Sequence, residues 1–464
     1  MTIQTINPAT GACINAYPLL KADQLIKAIT NTQQAFHGWK KTSFVMRSEL
    51  MHEAALLLRQ HKNTYAHLMA QEMGKPIAAG ALEIEKCATV CEHYATHTAD
   101  YLASQTLKSE QKTSIVTYQP LGIVFGIMPW NFPFWQVFRF AVPTLMAGNA
   151  VLLKHAPITT GSGLMIQALF EEAGFPPSLF QTLLIDIPSA ADVIAHDDVA
   201  AVTFTGSTNA GRTIASAAGQ HLKKVVLELG GNDPYLVLHD ADLKHAAACL
   251  VTSRLNNAGQ SCIAAKRIIV VESVMDDFMQ HLEKEMDRYT LGDPINPNTT
   301  LGPMAREDLR ATLHDQVMRS QDQGARLVLG GVLPEGPGFY YPKTLLTHVK
   351  PGMPAFDEEL FGPVLSIIQA KNEQEAIQLA NQSRYGLGGG VFTQDIKRGE
   401  AIALHAIETG SCFINECVSS TPHLPFGGIK NSGYGRELSR EGQLEFVNIK
   451  TMVIQQPLST DSPG

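Results

Sequence analysis

The sequence predicts an α/β protein: two successive units of alternating strands and helices, the first Rossmann-like, with a small β flap set apart from both. Three observations carry that reading. From residue 123 onward, short β-branched or apolar runs alternate with amphipathic stretches, the pattern of a parallel sheet with helices on both faces. A second alternating series follows Glu228. Finally, 464 residues are too many for one compact core and point to two or three domains.

Before residue 123 the chain reads as helical. Leu25, Ile26 and Ile29, then Leu50, Ala54, Leu57 and Leu58, recur at helical spacing between residues 20 and 105. Strands are predicted at Ile123–Ile127, Ala150–Lys154, Gln181–Ile185, Ala200–Thr205 and Lys224–Leu229, with helices near 162–174 and 209–220. The second unit has strand candidates at Tyr235–Leu238, Arg267–Val271, Leu365–Gln369 and Gly390–Phe392. Gly388-Gly389-Gly390 lacks a following Lys-Ser/Thr and reads as a tight turn rather than a phosphate loop. The β-rich runs Thr113–Gln119 and Phe446–Gln455 lie outside both units and suit a flap whose edges pair on oligomerisation. The expected division is therefore 1–105 with 120–228, then 229–435, with 106–119 and 444–457 as the flap; the tail Leu458–Gly464 reads as disordered.

Composition narrows the function classes. Hydrophobic residues make up 45% and charged residues 17%, ordinary for a globular protein, and the net charge of −8 argues against nucleic acid or an anionic membrane as the main partner. A small-molecule partner fits better. The first residues carry no basic region followed by an apolar run, and no apolar stretch reaches membrane-spanning length, so a cytoplasmic location is expected. Seven cysteines without C-x-x-C spacing point to free thiols in a reducing compartment and to no metal site. Cys87 and Cys91, four apart, share a helix face, where core packing is favoured over a metal pair.

The chemistry is concentrated in two short tracts. Cys262 follows Gly259-Gln260-Ser261, and Glu228 lies thirty-four residues upstream within Leu227-Glu228-Leu229-Gly230-Gly231. A thiol among small residues can attack an electrophilic carbon, and a glutamate on a glycine-hinged segment can swing in to activate water. Each has a plainer alternative: a small buried hydrophobe for the cysteine, and a strand-closing residue capping the Gly230-Gly231 turn for the glutamate. Gly206-Ser207-Thr208 follows a predicted strand and opens a predicted helix, which suits either a pyrophosphate cradle or a routine helix cap.

Further motifs appear in order: Asn7-Pro8-Ala9-Thr10-Gly11, Pro129-Trp130-Asn131-Phe132-Pro133, Phe204-Thr205-Gly206-Ser207-Thr208, Glu359-Leu360-Phe361-Gly362-Pro363 and Pro425-Phe426-Gly427-Gly428-Ile429-Lys430. With Glu228 and Cys262 they make the chain resemble the NAD(P)-dependent aldehyde dehydrogenase superfamily from about residue 7 to about residue 455. Within it, the chain most resembles the short bacterial-type succinate-semialdehyde dehydrogenases. The resemblance makes the first unit a cofactor-binding domain and the second a catalytic domain. It implies a Cys262 nucleophile, a Glu228 base and an Asn131 oxyanion donor acting with the Cys262 backbone N–H; a helix N-cap before Pro133 is the alternative for Asn131.

The same resemblance puts Trp130, Lys154, Pro157, Gly206, Ser207, Glu359 and Phe361 at the cofactor. Lys154 would meet the adenosine ribose and Glu359 the nicotinamide ribose. Pro157 stands where NAD-selective members often carry glutamate, so the usual discriminator is missing; NAD is expected as the main acceptor, with NADP usable. Arg139 and Ser420 match residues that hold a distal substrate carboxylate, a task suited to guanidinium, although for Arg139 a helix-surface salt bridge is the alternative. Asn256 departs from members with a second arginine there. His155 reads as structural, and the stripe Trp130, Phe132, Phe134, Trp135 and Phe138 as tunnel wall or core. The expected function is oxidation of an aldehyde to its acid through a cysteine thioester, with succinate semialdehyde as substrate, by a homodimer or homotetramer. The alternatives are a broad aliphatic or aromatic aldehyde dehydrogenase, a CoA-acylating enzyme, and a silent binding or structural protein of the same fold.

Overall fold

In a computed structural model, residues 2–108 and 112–455 are described. The predicted tail and the 456–457 end of the flap lie outside them. Two large sheets organise the chain. The first has six strands in the order Gly433–Tyr434, Lys224–Glu228, Val199–Thr205, Ile123–Met128, Ala150–His155 and Phe180–Thr182. Neighbours are parallel except Gly433–Tyr434, which returns late in the chain to pair antiparallel with Lys224–Glu228. Buried on both faces, its strands read as near-continuous apolar runs.

The second sheet has seven strands in the order Arg326–Leu329, Thr344–Thr347, Val364–Ala370, Arg267–Val271, Pro234–Val237, Gly388–Phe392 and Ser411–Ile414, parallel except at its first edge. Gly388–Gly390 is not the tight turn expected from sequence but part of a strand paired with Ser411–Phe413. The glycines make room: a side chain on Gly390 would collide with the Tyr235 ring, and one on Gly388 with the Asp233 carboxylate.

The N-terminal helices Ala22–Trp39, Phe44–Gln60, Lys62–Met73 and Ile77–Tyr101 share one apolar core with the first sheet, including Cys87 and Cys91, both fully buried. The predicted helices at 162–174 and 209–220 are realised as Thr160–Glu172 and Thr208–Gln220. Lys112–Pro120 pairs antiparallel with Val447–Gln455 and with Gln105–Lys108 to form a separate three-stranded sheet. It exposes Leu107, Ile449 and Val453 on one face and Met452 and Ile454 on the other.

Strand order positions the site. In the first sheet the chain moves outward from Ile123–Met128 in one direction, then resumes at Val199–Thr205 on its other side. Such a reversal leaves a crevice beyond the carboxyl ends of the two strands, the usual ligand position in open α/β sheets. Asn131 follows one strand and Gly206 the other. Cys262, Glu359 and Asn232 precede strands of the second sheet, so its amino edge meets the carboxyl edge of the first.

Candidate active site

Cys262 lies on a turn of unusual backbone. Asn257, Ala258 and Gly259 all adopt left-handed conformations, with φ of 53°, 53° and 69°. For alanine this costs about 1–2 kcal/mol, so the surroundings must hold it. A Cβ on Gly259 would overlap the Gly362 carbonyl, which makes glycine necessary there. The Gln260 side chain donates to Asn257 O at 3.2 Å and accepts from Ala305 N at 2.9 Å. Lys266 Nζ donates to the carbonyls of Ser261 at 2.9 Å and Cys262 at 2.6 Å, and pairs with Glu359 at 3.2 Å. Cys262 is thus presented by a strained, heavily cross-braced loop.

Burial pushes the Cys262 thiol up to about 11, opposed by the charges of Arg139 and Lys266 and aided by those of Glu228 and Glu359. The two cations therefore favour the thiolate and the carboxylates the thiol. Glu228 is itself buried, at 2% exposure, and neither carboxylate oxygen has a hydrogen-bond partner among the described residues. Desolvation drives its pKa well above the ordinary range, with Arg139 opposing and Glu437 reinforcing. Burial in this position favours the neutral carboxyl, and wetter surroundings would favour the ionised form. Gly230 and Gly231, expected as a hinge, serve here for room: side chains would strike the Glu359 carboxylate and the Cys262 carbonyl respectively.

Arg139 is not on a helix surface. It is 1% exposed on the helix Trp135–Met146, pairs with the equally buried Glu437 and lies 4.7 Å from the Phe426 ring centroid. Asn131 does not cap that helix either. The first turn is capped by Glu83 from the preceding helix, which accepts from Phe134 N at 2.9 Å and Trp135 N at 3.0 Å and pairs with Lys75. Freed from capping, Asn131 donates through Nδ2 to Gln260 O at 3.0 Å, and its own carbonyl accepts from Asn257 at 2.7 Å. Asn131 is thereby tied to the turn that carries Cys262. One Nδ2 hydrogen remains uncommitted, as does the Cys262 backbone N–H among the described residues.

On the crevice side, Lys154 ends the strand Ala150–His155, and Pro157 opens the short turn Pro157–Thr159. Burial lowers the Lys154 pKa and the field of Asp186 opposes it; no ion-pair partner for Lys154 is found among the described residues. Ser207 caps the helix Thr208–Gln220, accepting from Ala210 N at 3.4 Å, and Gly206 N donates to Glu228 O at 3.0 Å. Trp130 and Phe361 meet edge to face at 5.9 Å. Glu359 accepts from Gly231 N at 3.0 Å beside Lys266. An unpaired cation, a helix N-terminus and an aromatic pair around one crevice fit a dinucleotide. His155 is structural: its Nε2 donates to Pro133 O at 2.9 Å, and burial lowers its pKa to about 4.

A cavity of about 440 Å³ opens beside Cys262. Phe132 and Trp135 line it, whereas Phe134 and Phe138 are buried in the core, so the predicted aromatic stripe divides between wall and core. Arg139, Asn256 and Ser420 also line it. Three residues around the site were missed from sequence. Lys86, on the long second face of Ile77–Tyr101, looks like any solvated helix lysine; Lys266 and Glu437 gain meaning only from partners far away in the chain. The sole local hint for Glu437 was its place just after the Pro425–Lys430 tract.

Comparison with known proteins agrees with this geometry. The model of the aldehyde dehydrogenase family matches residues 1–452. The chain is 45% identical to a probable succinate-semialdehyde dehydrogenase [NADP(+)] of Synechocystis sp., covering 98% of this chain and 100% of that one. It is 43% identical to a succinate semialdehyde dehydrogenase [NAD(P)+] of Escherichia coli, covering 97% of each. Among solved structures, a succinic semialdehyde dehydrogenase from Streptococcus pyogenes in complex with NADP+ superposes with a TM-score of 0.95 at 36% identity, covering 98% of this chain and 100% of that one.

Proposed function

The chain belongs to the aldehyde dehydrogenase family, and from that premise we propose that it oxidises succinate semialdehyde to succinate with NAD(P) as acceptor. The observation that carries the reading is the juxtaposition at one cavity of Cys262 with two cationic side chains and Ser420. A neutral aliphatic aldehyde would need no such charge.

In the proposed reaction, the Cys262 thiol gives its proton to solvent and its sulfur adds to the aldehyde carbon. The negative charge that develops on oxygen is met by the free Asn131 amide hydrogen and the Cys262 backbone N–H; one such donor is worth about 3–4 kcal/mol in the barrier. Acceptance of the hydride from that carbon is the chemistry that a bound NAD(P) would supply. Glu228 then removes a proton from water, the water oxygen adds to the thioester, and the carbon–sulfur bond breaks to free Cys262 and the acid. Aldehyde, water and oxidised cofactor become acid, reduced cofactor and a proton. Glu359, held by Gly231 N and Lys266, would hold the nicotinamide ribose, with Trp130 and Phe361 beside it. Gly206 and Ser207, at the start of the helix Thr208–Gln220, would hold the pyrophosphate.

Lys154 would hold the adenosine ribose. NAD was expected as main acceptor, but no carboxylate stands at Pro157 to favour it, and Lys154 has charge available for a 2′-phosphate. We therefore expect NADP to serve at least as well. Arg139 and Ser420 hold the distal carboxylate, with Arg139 sharing its charge with Glu437. The three-stranded sheet, with exposed apolar side chains on both faces, is assigned as the oligomerisation flap of a homodimer or homotetramer. The division into a cofactor domain (1–105 and 120–228) and a catalytic domain (229–435) is part of the same reading, as is a reducing, cytoplasmic setting for the seven free cysteines.

Steady-state kinetics with succinate semialdehyde against hexanal, each with NAD and NADP, test it. An advantage of about a hundredfold in kcat/KM for the carboxylated substrate, roughly 2.7 kcal/mol, is expected. Equal or reversed preference would leave a general aldehyde dehydrogenase. Acyl-CoA as product would mark an acylating enzyme, and no cofactor reduction with any aldehyde a silent relative.

A further inference from the structure

We infer that Lys86, together with Ser420, supplies the unneutralised charge that grips the distal carboxylate of the substrate. The proposal rests on the succinate-semialdehyde reading and adds a residue to it from a different helix. Lys86 is half-buried on Ile77–Tyr101 and lines the cavity beside Cys262. It also lines a second cavity of about 170 Å³, and Phe132, Trp135 and Asn256 border both, so Lys86 stands where the two meet.

Its surroundings hold the ammonium without neutralising it. Nζ lies 4.0 Å from the Trp135 ring centroid and donates to Ser420 Oγ at 2.9 Å. No carboxylate forms an ion pair with it among the described residues, and the acidic residue in the cavity lining, Glu416, is exposed. Arg139, the other cation of the lining, is already paired with Glu437. The charged or titratable groups acting on Lys86 are Arg139, Cys87, Glu83 and Cys262; burial and Arg139 bring its pKa down to about 8, against the opposite pull of the other three. An incoming carboxylate would relieve both penalties.

Ser420 completes the site by elimination. Its oxygen accepts from Lys86 Nζ at 2.9 Å and from Trp135 Nε1 at 3.0 Å, which uses both acceptor positions. The hydroxyl hydrogen is then left to donate, as are two of the three ammonium hydrogens. Donors converging from a cation and a hydroxyl, on an aromatic floor, suit a carboxylate at the far end of a short chain whose other end meets Cys262.

Lys86→Met and Lys86→Arg test the assignment. In Lys86→Met the kcat/KM ratio of succinate semialdehyde to hexanal should fall about tenfold or more, through KM of the carboxylated substrate, and Lys86→Arg should restore part of it. Independently of turnover, succinate should protect Cys262 of the wild type from iodoacetamide and protect Lys86→Met about tenfold less well. An unchanged ratio with unchanged protection, in a wild type that prefers the semialdehyde, would overturn the role of Lys86 alone. A wild type that neither prefers the semialdehyde nor is protected by succinate would overturn the substrate reading and this role with it.

Discussion

The two cations that face the cavity differ in what the fold does with their charge. On the inner wall, Arg139 sits between buried carboxylates, pairing with Glu437 and acting on Glu228. On the outer wall, Lys86 donates to a hydroxyl, lies over an indole and forms no ion pair among the described residues. A buried charge that has its counter-charge is part of the scaffold, and removing it strands the partner. One held by neutral groups keeps its field for a ligand. The inner wall therefore tunes the reacting groups and offers the substrate a charge already shared with Glu437, and the outer wall adds the unshared charge that sharpens selection.

The largest effect expected from breaking this contrast is at Arg139. Arg139→Met leaves Glu437 buried without its counter-charge and should cost about 3–5 kcal/mol of stability in urea unfolding. Arg139→Met with Glu437→Met should recover most of it. A loss below about 1 kcal/mol in the single variant would make the inner wall as dispensable as a surface pair.

Next comes Glu228, whose charge state the inner wall controls. Glu228→Gln should lower kcat by about a hundredfold to ten-thousandfold while a first-turnover burst of reduced cofactor persists, because acyl transfer to Cys262 precedes its step. Loss of the burst would mean that Glu228 acts before hydride transfer. Alkylation of Cys262 by iodoacetamide in the unliganded protein should rise with pH toward a midpoint of about 11. Arg139→Met should move that midpoint further up, since Arg139 stabilises the thiolate; a downward move would reverse the sign of the coupling.

The smallest effect belongs to the outer wall. Ser420→Ala removes the acceptor shared by Lys86 and Trp135, and about 1 kcal/mol of stability should follow. A loss as large as at Arg139 would show that Ser420 braces the scaffold as well as facing substrate.

By itself, the sequence determined the central strands, because a sheet buried on both faces needs unbroken apolar runs, and runs such as Ala150–Leu153 are hard to disguise, whereas Arg326–Leu329, Thr344–Thr347, Ser411–Ile414 and Gly433–Tyr434 were not foreseen. It also singled out Cys262, Glu228 and Asn131, since uncommon local motifs surround them. Boundaries drifted where tertiary contacts intervene: the strand expected over Gln181–Ile185 is Phe180–Thr182, and the triglycine runs through a strand. Tertiary structure alone decided the partners of charge. Glu83 caps a helix whose first turn lies 51 residues away, Glu437 meets Arg139 across 298 residues and Ser420 meets Lys86 across 334. Local pattern reports backbone preference and burial, whereas the electrostatic state of a side chain depends on whatever the whole fold brings within a few ångströms of it.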